Sequence, residues 1–103
     1  MGSAQINGWI GISDCYYGAY LWSKSFCRFI KAVITGNTDG VSTTITGQLT
    51  IQSATVFVHG NTIGAYAGRY GYMYANSAVI SDNATDVSPA VNTQGNEYGY
   101  IDT

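Results

Sequence analysis

"SKSFCRFIKAVIT", residues 23–35, is the stretch whose reading decides the fold. Advanced at about 100° per residue, Phe26, Phe29, Ile30, Val33 and Ile34 fall on one apolar arc, and Lys24, Arg28, Lys31 and Thr35 fall opposite. Ser23 can cap the start by accepting a backbone N–H bond, and Gly36 can close the end with a positive φ. Read as a strand, the same residues would place Phe26 on one face with Lys24 and Arg28. The spacing therefore predicts an amphipathic helix over 23–35, with Cys27 at the edge of its buried arc.

The flanking sequence predicts strands. Beyond the turn Asn37-Thr38-Asp39-Gly40, "VSTTITGQLTIQ" (41–52) alternates: Val41, Thr43, Ile45, Gly47, Leu49 and Ile51 face one way, and a row of Ser, Thr and Gln faces the other. "ATVFVHGNTIGAYAG" (54–68) reads as a hairpin turning at Gly60-Asn61, with Val58 opposite Ile63, Val56 opposite Ala65, Ala54 opposite Ala67, and Phe57 covering Gly64. If the second strand runs on without a bulge, Tyr66, Tyr70, Tyr72 and Tyr74 share one face, turned away from the helix. "INGWIGISDCYYGAYLW" (6–22) adds one or two strands with Ile6, Ile10 and Ile12 inward. The expected fold is thus α+β: an antiparallel sheet of about five strands with one helix on one face. Residues 1–81 would form the compact domain and 82–103 an extended acidic arm. An all-β sandwich or barrel is the alternative.

Composition limits the function. Charged residues make up 10% of the 103, against the usual share of about 25%, so wide areas of surface are uncharged and self-association meets little like-charge repulsion. Through residue 81 the four cations (Lys24, Arg28, Lys31, Arg69) less Asp14 and Asp39 give +2, while Asp82, Asp86, Glu97 and Asp102 give the remainder −4. Such a split can dock the tail on its own body or on a neighbouring copy. With a pI near 4.8 the chain is a poor partner for nucleic acid. Residues 40–68 contain no Asp, Glu, Lys or Arg, yet polar residues recur too often for a membrane span. Residues 1–22 lack the basic start of a secretory signal, and no compartment can be read, although an extracellular or virion setting suits the composition. Asn83-Ala84-Thr85 is a glycosylation sequon in a eukaryotic secretory pathway.

Candidate chemistry is sparse. Cys15 and Cys27 can close a disulfide worth about 3 kcal/mol, with free thiols as the alternative. Two cysteines and His59, without CxxC or HxxxH spacing, give no metal site, and no cofactor motif is present. Catalysis would have to rest on His59, the single histidine, at a hairpin end. Aromatic rings are better supplied. The candidate ligand or interface residues are Tyr66, Tyr70, Tyr72 and Tyr74, with Phe57 and His59 beside them. Three functions follow in order: a non-enzymatic assembly module forming homo-oligomers, a glycan-binding module on the tyrosines with Trp9 or Trp22, and a small enzyme built on His59.

Overall fold

The computed structural model describes residues 3–51, 53 and 55–103. Eleven strands follow in order: β1 (Ser3–Ser13), β2 (Tyr17–Leu21), β3 (Phe26–Thr35), β4 (Asp39–Thr43), β5 (Gln48–Thr50), β6 (Val56–His59), β7 (Ile63–Ala67), β8 (Tyr72–Tyr74), β9 (Val79–Ile80), β10 (Thr85–Ser88) and β11 (Tyr100–Asp102). Every pairing between named strands is parallel. Phe26 lies beside Gln48, Gln48 beside Tyr72 and Tyr72 beside Tyr100, steps of 22, 24 and 28 residues. Tyr17, Asp39, Ile63 and Thr85 make a second such series, in steps of 22, 24 and 22. One sheet runs β11-β8-β5-β3-β6-β9 with β1 also on β3, and the other runs β10-β7-β4-β2. A chain whose strands pair only with those one turn earlier or later winds as a coil, and the fold is a parallel β-solenoid.

Two corners recur in each coil, and their residues explain the winding. At the first, a residue with positive φ precedes a short polar one: Asp14 before Cys15, Gly36 before Asn37, Gly60 before Asn61, Asp82 before Asn83. The asparagines stack. Asn37 Oδ1 accepts from the Cys15 N–H (3.0 Å), Asn61 Oδ1 from the Asn37 N–H (2.9 Å), and Asn83 Oδ1 from the Asn61 N–H (2.9 Å). At the second corner consecutive residues take positive φ: Ser23 and Lys24, Ile45 and Thr46, Arg69 and Tyr70, and the run of three Asn96, Glu97 and Tyr98. Their amides bond one coil on, Thr46 N–H to Arg69 C=O (3.2 Å) and Tyr70 N–H to Glu97 C=O (3.0 Å). Gly47, Gly71 and Gly99 follow, where a Cβ would run into the carbonyls of Leu21, Thr43 and Ala67 one coil back.

Inside, like residues stack in columns. Cys27, Leu49, Met73 and Ile101 form one, Ile12, Ile34, Val58 and Ile80 a second, and Ala19, Val41, Ala65 and Val87 a third. Most members from the inner coils are fully buried, whereas Ile6, Ile10, Ile12 and Leu21 of the first coil are only half-buried.

This architecture overturns the expected α+β class. The described residues contain no helix, and residues 26–35 are strand β3. Within β3 the buried residues are Phe29, Ala32 and Ile34; Phe26 is exposed, and Ile30 and Val33 are half-buried. The chain turns a corner between its contacts with β5 and those with β6, so the inward step is three residues at 29–32 and two elsewhere. Spacings of two and three mixed together imitate a helical arc. The antiparallel hairpin at Gly60-Asn61 is overturned as well. That turn is a solenoid corner, after which β6 pairs with β3 and β9 while β7 pairs with β4 and β10. Of the alternative reading the all-β class holds, as a solenoid rather than a sandwich or barrel. Residues 85–88 and 100–102 of the expected arm stack as β10 and β11, leaving 89–99 as a loop between them. Gln52 and Ala54, expected at strand ends, lie outside the described residues.

Candidate interaction surfaces

The predicted tyrosine face divides between two sheets. Tyr72 and Tyr74 project outward from β8 on either side of the buried Met73, whereas Tyr66 projects from β7 on the other sheet, and Tyr70 stands on the corner between them. Gly68 and Gly71 flank that corner, so the alternation does not carry from Tyr66 to Tyr72. In-register stacking brings different partners together: Tyr72 lies on Tyr100 (centroids 5.2 Å, 22° between planes) and touches Tyr74 (4.6 Å), and Tyr70 stacks on Tyr98 (5.0 Å, 18°). Burial raises the Tyr72 phenol pKa, and the Asp102 carboxylate beside it adds to the rise. Tyr98 and Tyr100 were outside the predicted set. The repeated Tyr-Gly-Tyr at 70–72 and 98–100 is the signal that places them one coil apart.

The other predicted residues stand apart from these rings. Phe57 is half-buried on β6 between Val33 and Val79, and His59 is exposed at the end of the same strand beside Thr35. Cys15 is an exposed thiol at a corner, and Cys27 is a half-buried thiol in an inward column, its pKa raised by that burial. Among the described residues no group of three His, Cys, Asp or Glu side chains comes together, and no helix is long and apolar enough to cross a membrane.

The largest concentration of exposed aromatic surface lies on the first coil. Trp9, Tyr16 and Trp22 are 61%, 65% and 53% exposed, and Tyr17 and Tyr20 join them, with ring centroids of 4.7 Å from Tyr16 to Tyr17 and 4.6 Å from Tyr17 to Tyr20. Among the described residues β1 pairs only with β3 and β2 only with β4, so each has one edge of backbone donors and acceptors without a strand beside it. Edge strands that must stay single carry lysine, proline or inward-pointing charges. β1 is eleven residues long and has no Lys, Arg, Asp, Glu or Pro.

Charge is graded along the solenoid axis. Lys24 sits at the corner after the first coil, and Arg28 and Lys31 lie on β3 beside Gln5 and Trp9 of β1. Asp82, Asp86, Glu97 and Asp102 belong to the final turns of the chain. There the outer edges of β9 and β10 also have no strand beside them among the described residues, while β11 is covered by Asn92, whose N–H donates to the Ile101 carbonyl (2.8 Å). Comparison with known proteins finds no matching family model, curated protein or solved structure.

Proposed function

We propose that this protein is a non-enzymatic assembly module whose copies associate end to end, the first coil of one against the last coil of the next. The observation that carries this reading is the charge-free, unprotected edge of β1 above the half-buried Ile6, Ile10 and Ile12. A parallel solenoid edge accepts another strand running the same way, and the last coil of a second copy presents that direction. The charge gradient favours the same orientation: basic Lys24, Arg28 and Lys31 meet the acidic end, whereas two first coils face to face would repel. Low overall charge removes the repulsion that keeps monomers apart.

The test is mass in solution. Light scattering over a concentration series should give a weight-average mass climbing from the 11.0 kDa protomer without settling at a dimer, since a head-to-tail contact need not close. Trp9→Glu places a negative charge on the exposed edge beside Lys31 and against the acidic last coil of the next copy, and should hold the mass at 11.0 kDa with unchanged melting. A single 11.0 kDa species at every concentration, or a Trp9→Glu variant that associates like the parent, refutes the reading.

A further inference from the structure

We infer that the outer face of the β2-β4-β7 sheet carries a binding groove for a neutral saccharide, seated between Tyr20 and Tyr66 over Ser42. The groove holds about 310 Å³. Its origin is the sequence of one outward column, in which Tyr20, Ser42 and Tyr66 lie side by side on successive coils, large, small, large. The two tyrosines are thus two strand spacings apart, about 9.5 Å between their Cα atoms, and the short serine between them leaves the gap unfilled. Tyr17 packs against Tyr20 at 4.6 Å and fixes one wall. The Tyr66 ring leans over Gly68, where a Cβ would come within 2.9 Å of its hydroxyl, so the glycine gives the opposite wall its direction.

The floor supplies what sugar hydroxyls require. Ser42 is 1% exposed, lines the groove, and its hydroxyl has no partner of hydrogen-bonding geometry, although it lies close enough to Asp39 to favour that carboxylate's charged form. A buried hydroxyl left unpaired is costly, and a ligand hydroxyl reaching it relieves that cost. Asp39, half-buried in the groove, is an acceptor, and burial raises its pKa above the ordinary aspartate value. Arg69 at the rim is a donor, held at 3.4 Å from Glu97. With one carboxylate and one guanidinium the groove has no net charge of its own to select an anion or a cation, while tyrosine faces take the C–H faces of a sugar ring. A neutral pyranose satisfies all of these groups. Ser42 and Tyr66 lie on β4 and β7, one and two strands in from the β2 edge that carries the Tyr20 wall.

The experiment is an amide NMR titration of the intact chain with neutral oligosaccharides of glucose, mannose, galactose and N-acetylglucosamine, and with choline as a cationic probe of the same rings. At least one oligosaccharide should shift residues 17–20, 39–44 and 66–69 saturably, and choline should not. Ser42→Ala should weaken that binding about tenfold while the amide spectrum of the free chain outside the groove stays that of the parent. Tyr66→Ala should weaken it by about tenfold or more, and Tyr72→Ala, on the other sheet, should leave it unchanged. The inference is overturned if no oligosaccharide gives saturable shifts, if the shifts map to Tyr72, Tyr74 and Tyr100, if choline alone moves the groove amides, or if Ser42→Ala binds like the parent.

Discussion

At the scale of the residue, Asn61 does more than any other side chain to hold consecutive coils in register. It is buried, its Oδ1 accepts from the Asn37 N–H (2.9 Å) and the Asn37 amide (3.1 Å), and its Nδ2 donates to the Ile34 carbonyl (3.1 Å) and Asn83 Oδ1 (3.0 Å). Removing it strands the Asn37 donor and the Ile34 acceptor away from water, each costing the desolvation of a buried polar group. Asn61→Ala should therefore lose about 2–4 kcal/mol in urea unfolding, and Asn7→Ala, exposed on the first coil, less than about 0.5 kcal/mol. Equal losses from the two would refute the ladder's role. In the sequence the ladder is visible as Gly36-Asn37-Thr38 and Gly60-Asn61-Thr62, 24 residues apart. Read singly, each Gly-Asn pair has the composition of a tight hairpin turn, and the same positive φ serves both structures. Only the repetition separates them. It is blurred because Asp14-Cys15 and Asp82-Asn83 occupy the same corner with different side chains.

At the scale of the element, the corners rather than the strands carry the information that local patterning misses. β3 holds its inward residues at mixed intervals of two and three, so a test for helical period returns a match where the backbone is extended. The alternation in 41–52 holds only within β4 and β5: Ile45, expected inward, is exposed, and Ile45 and Thr46 between the two strands have φ of 50° and 62° and turn the chain. No propensity argues for a β-branched residue there, since isoleucine in the left-handed region is disfavoured by contact of its Cβ with the following carbonyl. Ile45 is exposed, so little packing offsets that strain. Ile45→Asn should raise stability by about 1 kcal/mol in thermal or urea unfolding, and a loss of stability would mean that the corner is built differently. The tyrosines were legible as outward-facing residues. Their neighbours were not, because Tyr72 meets Tyr100 through a coil lengthened to 28 residues by the 89–99 loop.

At the scale of the whole molecule, each coil rests only on its neighbours, so the interior is sealed by stacking and the ends are where sealing is incomplete. The first coil shows this directly: its inward isoleucines are half-buried where those of the inner coils are buried, and its aromatic rings face water. The low charge and the basic-to-acidic split were readable from the sequence alone, but only the winding turns that split into a gradient along an axis, with an unguarded strand edge at its basic end. The most direct measurement is paramagnetic broadening between copies. A nitroxide is placed on the last coil through Ala84→Cys, in a chain whose Cys15 and Cys27 are changed to serine, and mixed with unlabelled ¹⁵N-enriched protein. End-to-end association predicts selective broadening of amides in β1 and β2 of the enriched copy. Broadening centred on β9 and β10, or none at concentrations where the mass has risen, would contradict it.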